Sequence, residues 1–349
     1  MEKLFTCFAA VAALVTISCS KQEVVNETTS PSVSQPKGII TKGVGEKEPS
    51  TFVYVETNDV NPLNAMDYYL SNGDTFFDYV GFFAANIHKE TVQVNNGTEE
   101  RPTIYLNPEL CPYLCNNGSP VTTYTSAISN NGQSPILCVL GDWVGLGVSN
   151  MNSTQQYQLA YILCCIVNQC GFDGVLFDDE YSGSNTITNG SYSGVISYFR
   201  QLCPDKLIFV FDWGGTSYIS STAAGEIDYA HHGYFGYYLP YTYSNIPGMD
   251  PSRWSPISLN LGQTYTSSAL STIQTWAYNA KQSGYGQIML YNLREKDDVN
   301  PIPVLSAIAT GAGWNTPVTC LTGGGNRPQL TPVTGGCTIT YDMALNCCN

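Results

Sequence analysis

Eight short apolar runs recur from residue 51 onward, and they constrain the fold more than any other feature of the chain. They read TFVYVE (51–56), FDYVGFFAAN (77–86), PILCVLG (135–141), DGVLFDDE (173–180), KLIFVFDW (206–213), IDYAHHGYF (227–235), SPISLNLG (255–262) and GQIMLYNL (286–293). β-Branched and aromatic residues dominate them, and longer helix-compatible stretches lie between them. Near-continuous apolar runs suit strands buried on both faces, as in a parallel sheet. The stretch before the fourth run reads most clearly as a helix. Ser153 and Gln156 form a candidate capping box, and Leu159, Ile162, Leu163, Ile166, Val167 and Cys170 follow at helical spacing. Gly171 stands where a left-handed residue stops a helix. Eight strand–helix units over roughly 260 residues predict an α/β chain folded as one (β/α)8 TIM barrel. An open doubly wound sheet is the alternative, but no G-x-G-x-x-G follows the first run and no P-loop is present.

Barrels of this kind build their sites at the C-terminal ends of the strands. Most of the runs end in polar or aromatic residues: Glu56 and Asn58, Asn86, Asp142, Asp212 and Trp213, Tyr234, and Tyr291 with Asn292. The fourth run, within GFDGVLFDDEY (171–181), stands apart, because four acidic residues fall within eight positions. Side chains alternate along a strand. Leu176, Asp178 and Glu180 therefore share one face, and Val175, Phe177 and Asp179 the other. The second set suits a helix-facing surface, so Asp178 and Glu180 are expected to point into the barrel mouth. Carboxylates that close repel, which raises the pKa of one and keeps it protonated near neutral pH. A cation site is the other reading, with Asp179 and Asp142 as further oxygen ligands.

Composition narrows the partners. Of 349 residues, 43% are apolar and 12% charged, as in a globular chain. A net charge of −14 argues against nucleic acid and anionic membrane surfaces, which need basic patches. The 24 tyrosines fit either a surface of half-buried rings or a carbohydrate cleft, where rings stack on apolar sugar faces. Thirteen cysteines with three histidines and no C-x-x-C give no metal-binding pattern. Cys138, Cys164, Cys165 and Cys170 lie in strand or helix patterns and read as small buried hydrophobes. Cys320, Cys337, Cys347 and Cys348 sit in a Gly-rich tail (315–349) that reads as loop or linker, where a disulfide staple has no assignable pairing.

The first residues are not part of the fold. Lys3 precedes LFTCFAAVAALVTI, too short to span a bilayer, and TISCS follows. Residues 1–19 resemble a lipoprotein signal with Cys19 as the lipidated residue, although Thr16 stands where Leu is commonest; a plain secretory signal is the alternative. Residues 20–50 read as a flexible tether. An exported protein at the outer membrane or cell surface is expected, with the periplasmic side left open.

The fourth run also carries a resemblance. DGVLFDDE is similar to the D-G-x-D-x-D-x-E signature of glycoside hydrolase family 18. The flanking chain resembles the endoglycosidase H type of endo-β-N-acetylglucosaminidase. The likeness is collinear from about residue 51 to about 313, through FVYVETND, FFAANI, LCVLGDW, GFDGVLFDDEY, PDKLIFVF, IDYAHHGYFG and GYGQIMLYNL. It implies a catalytic barrel over residues 51–314 that cuts the GlcNAc-β-1,4-GlcNAc bond of the N-glycan core, with no cofactor. It implies a retaining mechanism in which the substrate's own acetamido group takes the place of a carboxylate nucleophile. Glu180 matches the general acid, and Asp178 matches the residue that orients the acetamido group. Tyr234 matches the tyrosine that bonds its oxygen, with Tyr237 as a rival. Asn86, Asp142, Tyr291 and Asn292 become candidate substrate contacts. Leu176 departs from the pattern, which has Asp there, so Asp178 is expected to depend more on Glu180 and nearby hydroxyls. A non-catalytic glycan-binding barrel and a chitinase-like hydrolase are the alternatives. Only about 25 residues separate Gly262 from Gln287, room for one helix and not for an inserted domain. Expected partners are an N-glycan or glycoprotein, with a membrane met only through the lipid anchor, and a monomer in solution.

Overall fold

A computed structural model describes residues 47–348, apart from 96, 117, 142–144, 183–185, 294–298 and 322–324. The signal segment, Cys19, Asp142 and most of the tether fall outside the described residues.

The eight runs become the staves of a barrel. In chain order the parallel strands are Ser50–Glu56, Tyr79–Val94, Ser134–Gly141, Gly174–Asp178, Leu207–Asp212, Tyr229–His232, Trp254–Ser255 with Ser258–Asn260, and Gln287–Tyr291. The seventh stave is in two pieces because Pro256 has no N–H to give the sheet. Its first half pairs with the sixth strand and its second half with the eighth. The ring therefore closes through Pro256 and Ile257. The backbone N–H of Met289 bridges the break, donating to Ser255 Oγ at 2.8 Å and to the Ile257 carbonyl at 3.1 Å.

Two apolar layers follow from the alternation. Phe52, Tyr54, Tyr79, Cys138, Leu176, Phe209, Phe211 and Met289 fill the interior. Val53, Val80, Leu137, Val175, Phe177, Val210 and Leu290 face outward into the main core, against helices such as Ser153–Gln169, Ser191–Leu202 and Ile302–Ala312. Leu176 thus lies in the interior layer and Phe177 behind the strand, as the period of two predicts.

The helical ring is less regular than eight equal units. A 3-10 turn, Pro62–Asp67, replaces the helix after the first strand. After the second, the strand Gly97–Leu106 returns antiparallel before the helix Thr123–Asn130. After the sixth, prolines 240, 247 and 251 leave only 3-10 pieces. The long helix of the third unit starts one residue earlier than its sequence suggests. Asn152 and Gln155 form its capping box, each side chain accepting the other's backbone N–H at 3.0 Å, in place of Ser153 and Gln156. Gly171 follows its end at φ +73°.

Two cysteine expectations fail. Cys164 is bonded to Cys203 across the packed helices Ser153–Gln169 and Ser191–Leu202, and Cys165 is also disulfide-bonded. Helical periodicity reports which face of a helix is buried and not which residue a neighbouring helix brings against it. Cys138 and Cys170 are buried free thiols, as expected.

The tail is docked on the barrel. Thr319–Cys320 pairs with Tyr68–Tyr69, and Cys337–Ile339 adds to the edge of Gly97–Leu106. Cys337 is bonded to Cys111. The helix Tyr341–Cys348 packs against Ser153–Gln169. No helix among the described residues is long and apolar enough to cross a membrane.

Candidate active site

At the fourth strand's end three consecutive carboxylates take three different positions. Asp178 follows Leu176 on the inward face and is only 4% exposed. Its Oδ1 is buried without a hydrogen-bond partner. Burial pushes its pKa well up, and the charges of Glu180 and then Asp179 push the same way. Asp179 faces outward. Its Oδ1 accepts from the Val148 N–H at 2.9 Å and from Ser182 Oγ at 2.5 Å, and Ser149 Oγ donates to Oδ2. Those partners occupy Asp179 as an anchor for the loop after the third strand, so it is not a free cation ligand. Glu180 stands at the rim, exposed on one side, with its pKa raised by partial burial. Mutual repulsion was the expected cause of a raised pKa, yet burial is the larger cause at both residues.

The other described candidates lie on or just beyond the second, sixth and eighth staves. Asn86 lies half-buried on the second strand, paired with Leu140 of the third. Tyr291 follows Met289 on the inward face of the eighth strand. Its ring lies 4.6 Å from that of Phe235, and burial pushes its pKa to about 12. Asn292 adopts φ 59°, a left-handed conformation, and donates to Asn260 Oδ1 at 2.9 Å. Its own Oδ1 is buried and unpartnered, as is Ser258 Oγ on the seventh strand. Of the five buried polar side-chain atoms left without a partner among the described residues, two, on Asp178 and Asn292, stand at the ends of the fourth and eighth staves, and a third, Ser258 Oγ, lies lower on the seventh beside Met289. A buried polar group without a protein partner is costly, so each of these atoms calls for water or a bound molecule to satisfy it. Tyr234 (53% exposed) and Tyr237 (62%) lie beyond the sixth strand. Tyr234 packs edge-on to Trp213, whereas Tyr237 is tied through its backbone to Ser258. Asp142 lies outside the described residues.

No family model matches the chain. It is 32% identical over 265 residues to an endo-β-N-acetylglucosaminidase of Flavobacterium sp. (strain SK1022), a match covering 72% of this chain and 77% of that one. The chain belongs to the family 18 endo-β-N-acetylglucosaminidases. It is therefore a glycoside hydrolase. A second relative, endo-β-N-acetylglucosaminidase F1 of Elizabethkingia meningoseptica, is 29% identical over 277 residues, covering 74% of this chain and 76% of its own. Among solved structures, EndoBT-3987 of Bacteroides thetaiotamicron with Man5GlcNAc product superposes with a TM-score of 0.62 at 26% identity. That match covers 82% of this chain, which spans 64% of the EndoBT-3987 chain. The same protein with Man9GlcNAc2Asn substrate gives 0.60 at 25% identity, covering 82% of this chain and 70% of that one.

Sequence reasoning missed a buried polar line inside this glycosidase. Tyr54 Oη bonds His231 Nδ1 at 2.8 Å, and His231 Nε2 bonds Gln287 Oε1. The amide oxygen can only accept, so Nε2 carries the proton and Tyr54 donates to Nδ1. Burial lowers the His231 pKa to about 3 and keeps the ring neutral. The signal available was position: Tyr54 and His231 both fall on inward-facing places of their runs. Asp212, expected at the rim, points away from the interior. It accepts from Thr216 Oγ1 at 2.5 Å, Ser244 Oγ at 2.9 Å and the Asn245 N–H at 2.8 Å.

Proposed function

We propose that the enzyme hydrolyses the β-1,4 bond between the two GlcNAc residues of the N-glycan core, with retention, and that Glu180 and Asp178 carry the reaction. Membership of the endo-β-N-acetylglucosaminidases supports the activity, and the bond between Man5GlcNAc and what remains is the one that the EndoBT-3987 complexes bracket. The observation that carries the residue assignment is a buried carboxylate with an unpartnered oxygen at the last residue of the fourth stave, followed two positions on by an exposed carboxylate.

In this reading Glu180 begins protonated and gives its proton to the glycosidic oxygen as the C1–O bond breaks. The substrate's acetamido oxygen closes on C1 and forms an oxazolinium ion. Asp178 accepts the acetamido N–H, aims the oxygen at C1 and stabilises the positive charge. Glu180, now a carboxylate, takes a proton from water. The water oxygen bonds C1 from the face the leaving group vacated, and the bond from C1 to the acetamido oxygen breaks. Tyr234 supports the acetamido group, and Asn86, Asp142, Tyr237, Tyr291 and Asn292 are proposed as further substrate contacts.

Mass spectrometry of a high-mannose glycoprotein tests this. Wild type leaves one GlcNAc on each asparagine. Glu180→Gln, which keeps the shape but not the proton, lowers turnover by about 10²–10⁴-fold. Full activity in that variant would remove Glu180 from the mechanism. The reading of Cys19 as a lipid anchor on an exported chain is likewise a proposal. Radiolabelled palmitate is incorporated by cells expressing wild type and not by cells expressing Cys19→Ala; equal labelling would refute it.

A further inference from the structure

Trp213 has one supported side and one bare side. Trp213 follows Asp212, the last residue of the fifth strand, and its N–H turns back to the Phe211 carbonyl at 2.8 Å, so the indole stands just beyond the C-terminal end of that stave, at the mouth. The fourth and fifth staves are neighbours whose last pair is Asp178 with Phe211, and Glu180 and Trp213 each follow two residues beyond that pair. The sixth strand's last residue, His232, is paired with Asp212, and Gly233 follows it. A Cβ there would lie 2.6 Å from Trp213 Cε3 and 3.1 Å from its Cβ, so the missing side chain is what lets the indole rest on that backbone. Tyr234 braces it edge-on, with ring centroids 5.7 Å apart at 81°. Even so clamped, Trp213 is 42% exposed, whereas Trp254 and Trp314 are buried.

A fixed indole with an open face suits the apolar C–H face of a pyranose, as rings that line ligand clefts do. Its place at the end of the stave next to the one that carries Asp178 decides which pyranose. The eighth stave, with Tyr291 and Asn292, lies across the ring from the fourth. A sugar held over Asp178 between those two staves places the leaving sugar on the far side of Glu180, next to the fifth. We propose that Trp213 is the stacking platform for the leaving-side sugar, the GlcNAc that stays on the asparagine. Gly233 and Tyr234 set the plane of the ring.

The assignment rests on the substrate-assisted reading above, and two substrates separate the two ideas. The glycan attached through GlcNAc to asparagine needs both sides of the cleft. The same glycan supplied as its 1,2-oxazoline has no leaving sugar and needs only the acetamido side. Trp213→Ala is expected to lower the ratio of glycoprotein to oxazoline kcat/KM by about tenfold to a hundredfold, mostly through KM. Trp213→Phe restores most of the ratio. Gly233→Ala, which displaces the ring without removing it, lowers it in the same direction. An unchanged ratio in Trp213→Ala, or an equal fall on both substrates, would overturn the assignment. A wild type inert toward glycoprotein and oxazoline alike would sink the mechanistic reading and the platform with it.

Discussion

Asp178 and Asp179 are adjacent and both buried, and they meet burial in opposite ways. Asp179 collects donors from Val148, Ser149 and Ser182. Asp178 leaves one oxygen with none. A folded pKa raised above the unfolded value of about 4 means the native state holds its proton longer than the unfolded chain does. Stability from this group is therefore complete below about pH 4 and declines as pH rises toward the folded pKa. Asp178→Asn removes that decline, so its melting temperature should fall less than wild type's between pH 4 and neutrality. Parallel curves would show that the burial of Asp178 is relieved in solution. The period of two made the opposite directions of these side chains legible. It gave no sign of Asp179's partners, two of which come from a loop some thirty residues earlier in the chain.

One carboxylate bridges the loops after the fifth and sixth strands, beside the packing of Trp213 on Tyr234. Asp212 takes Thr216 from its own loop and Ser244 and Asn245 from the next. Asp212→Ala leaves those donors without their acceptor and should cost about 1–3 kcal/mol in denaturant unfolding. It should also raise KM, because the sixth loop carries Tyr234 and Tyr237. Loss of stability with an unchanged KM would separate the loop from substrate binding. All eight staves were readable from their apolar runs, since burial on both faces leaves a continuous signature. The break in the seventh was not read, although Pro256 lies within it. The missing helices after the first and sixth strands were not read either, because the barrel's period implied a helix in each place, although prolines 240, 247 and 251 interrupt the second of them.

The molecule as a whole is fastened by its tail, which composition alone presented as a linker. Arg327 pairs with Asp67, which is 1% exposed and also accepts the Gly325 N–H at 2.6 Å. Asn61 and Gln329 add side-chain bonds between the tail and the first loop. Such anchorage is invisible in sequence because it uses single polar residues and backbone carbonyls, which leave no periodic trace. Arg327→Ala should cost roughly 1–3 kcal/mol, since the guanidinium is partly open to solvent but its partner is not. Cys111→Ser removes the bond to Cys337, which closes a separation of 226 residues, and should cost about 2–4 kcal/mol in thermal or denaturant melts. Unaltered melting in both variants would mean the tail is not part of the cooperative unit.

Parallel staves give the barrel a floor and a mouth. Ser50 begins the first stave beside Gly286 and Gln287, at the end opposite Asp178 and Glu180. The described chain therefore enters the barrel at its floor, and the whole depth of the interior layer, from Phe52 to Phe211, lies between that point of entry and the carboxylates at the mouth.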